Sequence, residues 1–108
     1  MIVTKDEKKN VIIFRCEGRL DATTSTQLEN VLDIEINQKH LHLLIDFSGI
    51  EYLSSAGMRV LLSMTKRLKV MGGYFKIFAI HDDVMEIIRL AGFESILKIF
   101  PNESSALV

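Results

Sequence analysis

Two adjacent hydroxyls, Ser54 and Ser55, stand where the apolar run Leu43-Leu44-Ile45 and the turn residues that follow it give way to a helical pattern opening Ala56-Gly57-Met58-Arg59. A serine at a helix N-terminus lies beside unpaired backbone N–H groups and the positive end of the helix dipole. A phosphate added there is tolerated by the fold and changes the surface charge, which is the chemistry of a phosphorylation switch. Helix capping alone also accounts for a serine at this place. It does not account for Gly57, a poor residue for a first turn, whose missing side chain suits close approach by a partner's active site. In open parallel sheets functional groups gather beyond the carboxyl ends of the strands, and Asp21, Asp46 and the serine pair are all expected at that edge. For both acids a cap or turn role is the simpler alternative.

Other chemistry finds little support. His40, His42 and His81 have no metal-ligand spacing and no Cys-x-x-Cys beside them, so no metal is expected. Ser55 has Leu53 where a hydrolase nucleophile elbow needs glycine, and no glycine-rich phosphate loop with its lysine is present. No cofactor is implied, and the chain reads as a non-enzyme. The net charge of -1 gives no electrostatic footprint for nucleic acid. A single cysteine, Cys16, excludes an internal disulfide and suits a reducing cytoplasm; its apolar surroundings favour packing over reactivity. No apolar run approaches the roughly 20 residues that span a bilayer, so a soluble, unprocessed protein without membrane contact is expected. Lys66-Arg67 and Lys69 read as a solvated helix face.

The elements that must position these residues alternate between strand and helix. Met1–Thr4 and Val11–Cys16 read as an antiparallel pair joined by the turn at Lys8-Lys9-Asn10. Thr24-x-x-Gln27 offers a capping box for a helix whose Leu28, Val31 and Leu32 share one face. His42–Phe47 and Tyr74–Ile80 are nearly continuous apolar runs, the pattern of parallel strands buried on both faces. Between them Met58, Leu61, Leu62, Thr65 and Leu68 form the buried stripe of a helix that Gly72 stops. Asp82 or Asp83 can cap a further helix with Val84, Ile87, Ile88 and Ala91 inward and Gly92 at its end. With 108 residues, 48% of them hydrophobic, the chain predicts one α/β domain over residues 1–108, mainly a parallel sheet with an antiparallel N-terminal strand and packed helices.

The order Asp46-Phe47-Ser48-Gly49-Ile50-Glu51-Tyr52-Leu53-Ser54-Ser55-Ala56-Gly57-Met58-Arg59 resembles the signature of STAS-domain anti-sigma-factor antagonists. Glu17-Gly18-Arg19-Leu20-Asp21 is similar to the family's turn before its first helix, Gly72-Gly73 to its turn into the last main strand, and Leu90-Ala91-Gly92-Phe93 to its closing helix end. The resemblance implies a bacterial regulator whose serine is phosphorylated by a partner that is both a kinase and an anti-sigma factor, and is dephosphorylated by a PP2C-type phosphatase. Counting back from Gly57 selects Ser55 as the phosphorylated serine, with Ser54 the alternative. Ser54 stands where the family usually has an acid. Asp21, Asp46, Ser54, Ser55, Ala56, Gly57, Met58 and Arg59 are then the expected partner-binding surface. Two rivals use the same residues differently. One is a STAS-like scaffold or small-ligand module without phosphorylation. The other is a response-regulator receiver with Asp46 as phosphoacceptor, which lacks the acidic pair and late lysine such a site needs.

Overall fold

The computed structural model describes residues 1–108. Nine elements follow one another: β1 (Ile2–Lys8), β2 (Val11–Leu20), α1 (Ala22–Asn37), β3 (His42–Leu53), α2 (Ser55–Val70), β4 (Tyr74–Phe78), α3 (Asp82–Leu90), β5 (Lys98–Phe100) and α4 (Glu103–Leu107). The strands form one sheet in the order β1-β2-β3-β4-β5, with β1 antiparallel to β2 and every other pair parallel. This is the expected α/β architecture, including the antiparallel N-terminal strand.

Strand alternation divides the sheet into two chemistries. Ile12, Phe14 and Cys16 of β2 and Leu43, Ile45 and Phe47 of β3 face one way and pack with Leu28 and Leu32 of α1, Leu61, Met64 and Leu68 of α2 and Val84 and Ile88 of α3. The intervening positions Val11, Ile13 and Leu44 face the other way and, with Phe78, meet Ala106 of the short α4. Leu43, Leu44 and Ile45 are all fully buried, so the continuous apolar run does mark a strand covered on both sides.

Several boundaries differ from expectation. β1 continues through the charged residues to Lys8 because an edge strand with one wet face tolerates them. β2 and β3 both run beyond their apolar stretches, and two register shifts, between Arg15 and Glu17 and between Gly18 and Arg19, let them stay paired to Leu20 and Leu53. The cap of α1 is Asp21 rather than Thr24: Asp21 accepts from the Thr23 and Thr24 backbone N–H groups, and the Thr24 hydroxyl accepts from Asp21 N in return. At α3 neither Asp82 nor Asp83 caps; both lie in the first turn, where their charge favours the dipole, and His81 precedes them. β4 ends at Phe78, before Ile80. The helix stops were legible: Gly72 and Gly92 take φ of +86° and +81° just past α2 and α3.

Candidate functional site

β2 and β3 end level with each other, Leu20 opposite Leu53, so the next residues of both chains emerge side by side. Ser54 N donates to the carbonyl of Leu20 at 2.9 Å, fastening the two exits together. Asp21 and Ser54 are therefore the N-caps of neighbouring helices. The Asp21 carboxylate accepts from Thr24 N at 3.0 Å and Thr23 N at 3.1 Å. The Thr24 backbone N–H, followed by the Thr24 hydroxyl, holds this acid below the usual carboxylate range.

The two serines occupy different environments. Ser54 is half-buried, and its Oγ accepts from Gly57 N at 3.1 Å, which satisfies one of the free donors of the first turn of α2. Ser55 is the first residue of α2, exposed, and its hydroxyl makes no hydrogen bond within the protein. One turn further, Arg59 is exposed on the same face of the helix and forms no ion pair.

Ala56 is half-buried and Met58 is 5% exposed, so both contribute mostly to packing, with an accessible edge each. Ala56 lines a cleft of about 270 Å³ between α1 and α2 with Ala22, Ser25 and Arg59. Met58 lines a groove of about 380 Å³ between α2 and α3, where Ser55, Arg59, Leu62, Ile87 and Phe93 also stand.

Gly57 corrects the expectation that its missing side chain serves access. It is buried and faces the core, where a Cβ would lie 2.8 Å from Leu53 Cδ1 and 2.9 Å from Leu20 Cγ. Its φ is not positive. The glycine lets the first turn of α2 settle onto the two strand ends that present Asp21 and Ser54.

Asp46 is not at this edge. β3 continues past it to Leu53, and strand alternation turns its side chain to the α4 face, opposite α2. There it accepts from Arg15 Nη1 at 3.1 Å and from Ser48 N at 2.9 Å. Arg15 also meets Glu103 at 2.8 Å and Asp6 at 3.1 Å, and Lys8 closes the cluster on Glu103. Glu103 leads the causes that push the Arg15 guanidinium further upward, against burial. On the other sheet face burial, with the Asp46 charge behind it, pushes the Cys16 thiol up to about 12, leaving it an inert packing group.

The histidines are dispersed. His40 meets the buried Glu35, His81 meets the carbonyl of Ser48, and His42 lies against Tyr74 with ring centroids 4.7 Å apart. Glu35 is buried, which raises its pKa, yet its bonds to His40 and Lys5 prevail and hold it below the usual range.

Two residues at the edge escaped the sequence reading. Arg19 and Tyr52 are register partners one step before the strand ends, and the guanidinium lies 4.3 Å from the ring centroid. Half-exposed Tyr52 thus borders the Asp21–Ser54 edge. Ile50 and Leu53, both buried, are the signal that the strand runs on past Phe47, although strict alternation does not connect them.

A family model for the STAS domain matches residues 3–106, and the chain belongs to that family. Among named relatives, BtrV of Bordetella bronchiseptica, provisionally named an anti-sigma factor antagonist, is 29% identical over 97% of this chain and 88% of its own. The anti-sigma F factor antagonist of Paenibacillus polymyxa is 24% identical over 97% of this chain and 91% of its own. The crystal structure of a Thermotoga maritima protein, also provisionally named an anti-sigma factor antagonist, superposes with a TM-score of 0.91 at 20% identity, covering 97% of this chain and 91% of that one.

Proposed function

We propose that this protein is an anti-sigma factor antagonist controlled by phosphorylation of Ser55. Unphosphorylated, it docks the edge formed by Asp21, Ser54, Ser55 and Arg59 on an anti-sigma factor that is also a serine kinase, and the sigma factor is released. The partner phosphorylates Ser55 and the complex breaks; a PP2C-type phosphatase restores the free hydroxyl. The chain is the substrate in this cycle, a regulatory protein acting in the bacterial cytoplasm. Names of relatives that align along almost the whole chain support the partner class.

The observation that carries the reading is the contrast between the serines. Both serines line the groove, but Ser54 Oγ is engaged in the cap, whereas Ser55 is exposed and its hydroxyl is unbonded. A phosphate adds a charge of about -1.5 to -2. The helix dipole stabilises it by about 0.3–2 kcal/mol, so the fold survives, while like charge forced into a docked surface costs several kcal/mol.

The test uses the anti-sigma kinase of the same cell with ATP. One phosphate is expected, lost in Ser55→Ala and largely retained in Ser54→Ala. Ser55→Asp should weaken the complex at least tenfold, about 1.4 kcal/mol, with its melting curve near wild type. Peptide mapping that placed the phosphate on Ser54 alone would overturn the assignment.

A further inference from the structure

Along α2, Ser55, Arg59, Leu62, Lys66 and Lys69 recur every three or four residues, the spacing that keeps side chains on one helix face. The stripe is about 21 Å long at about 1.5 Å per residue. Two grooves meet on it. The groove of about 380 Å³ beside Ser55 has Met58, Leu62, Ile87 and Phe93 in its lining; a second, of about 400 Å³, is lined by Leu62, Lys66, Lys69 and Ile96. Leu62 lines both, so the two grooves adjoin along one face of the helix and are taken together as one channel.

The channel carries unbalanced charge. α2 contains Arg59, Lys66, Arg67 and Lys69 and no acid. Arg67 is neutralised by Asp33 of α1, but Arg59, Lys66 and Lys69 are exposed and have no carboxylate within ion-pair distance. Glu86 of α3 and Glu94, which line neither groove, are both drawn to Arg89, at 3.8 and 3.0 Å. The net charge of the whole chain is only -1, so this excess of positive charge is local. An exposed apolar group accompanies it: Ile96, in the lining of the second groove, is 54% exposed.

We infer that this channel seats an acidic amphipathic segment of a protein partner, its carboxylates meeting Arg59, Lys66 and Lys69 and its apolar side chains entering between Leu62, Ile87, Phe93 and Ile96. The inference rests on the reading of this edge as a partner-binding surface and adds the chemistry of what binds. It places the docking energy along α2 beyond Ser55, so that the reacting hydroxyl sits at one end of a longer contact. A recessed apolar floor between two helices fits a protein side chain better than a lipid surface, which would need the apolar groups outermost.

The probe is a synthetic helix-forming peptide of about 15 residues, the length that spans the stripe, with glutamates along one face and leucines beside them. A control peptide carries lysine for each glutamate. Backbone amide shifts of the full chain are followed by NMR during titration. Shifts concentrated on Arg59, Leu62, Lys66, Lys69, Phe93 and Ile96 are expected with the acidic peptide and not with the basic one. Affinity should fall at least tenfold in Lys66→Glu/Lys69→Glu, by a smaller factor in Lys66→Ala/Lys69→Ala, and with added salt. Both lysines are exposed, and thermal melts verify that the variants stay folded.

Absence of binding, shifts on another face, or an affinity indifferent to the double charge reversal would overturn the inference. So would cosedimentation with phosphatidylserine-containing vesicles in the absence of peptide binding, which would assign the face to lipid. Self-association abolished by the charge reversal, again without peptide binding, would assign it to a second copy. No kinase or ATP enters this experiment, so its failure leaves the Ser55 test intact, and failure of phosphorylation leaves this result standing.

Discussion

The two faces of the sheet are built by different means. On the face under α1, α2 and α3, Phe47 and Phe75 are fully buried in a continuous apolar layer, and the helix N-termini are set by how closely that layer packs. On the opposite face Val11, Ile13, Leu44 and Phe78 form a smaller apolar patch, and beyond it Arg15 gathers Asp6, Asp46 and Glu103. Glu103 belongs to α4, so this cluster fastens the last helix. Packing positions the candidate site, whereas charge secures the opposite side. The difference explains how two aspartates of similar appearance in sequence separate: Asp21 caps a helix at the site, and Asp46 serves the ion cluster across the sheet.

The strongest test of this contrast adds one methyl to the packed face. Gly57→Ala would gain up to about 1 kcal/mol of helix propensity, but its Cβ meets Leu53 and Leu20 inside van der Waals distance. Overpacking of a dense core costs about 1–3 kcal/mol, so a net loss of up to about 2 kcal/mol in chemical denaturation is expected. A more stable variant would show that the packed face yields and that the glycine has another purpose.

A smaller effect separates the serines without any kinase. Ser54→Ala removes the acceptor for Gly57 N and should cost about 1 kcal/mol, while Ser55→Ala should stay within about 0.5 kcal/mol of wild type. Equal losses in thermal melts would erase the distinction on which Ser55 was chosen.

The smallest effects belong to the ionic face. Asp46→Asn keeps an acceptor for Ser48 N and leaves Arg15 with Glu103 and Asp6, so a loss of about 0.5 kcal/mol and an unchanged phosphorylation rate at Ser55 are expected. A strongly reduced rate would return Asp46 to the site. The same cluster sets an acid response. Arg15, then Lys8, lowers the folded-state pKa of Glu103 below 4.5, and Arg15 lowers that of Asp6 below 3.8. Each group binds its proton more readily when unfolded. The stabilisation is therefore present above those values and declines as pH falls through the folded-state values. Denaturation curves from pH 6 down to pH 3 should show the decline, reduced in Glu103→Gln; an identical slope in that variant would remove Glu103 as a cause.

The serine pair, the helix stops and the buried central strand were legible because each depends on residues close in sequence. Ser54-Ser55 precedes a helical stripe, Gly72 and Gly92 follow one, and Leu43-Leu44-Ile45 is continuously apolar. The family resemblance extended that reading to partners, and the match over residues 3–106 places the chain in the family named from those motifs. β5 and α4 left no clear local signal, being 3 and 5 residues long and held chiefly by pairing and packing with distant parts of the chain. The Thr24-x-x-Gln27 pattern was a local coincidence: Asp21, at the end of the longer β2, supplied the cap instead.

Sequence by itself determined the alternating α/β order, the antiparallel start, the family and the position of two hydroxyls at the beginning of α2. Tertiary structure decided the rest. The bulged pairing of β2 with β3 brings Asp21 and Ser54 out side by side, and that depends on register between strands more than 30 residues apart. Strand length decided that Asp46 faces away, since side chains alternate and β3 does not end where its apolar run does. Gly57 could be recognised as unusual from its neighbours, but whether its bare face met a partner or the core was fixed by Leu20 and Leu53, which arrive from two different strands.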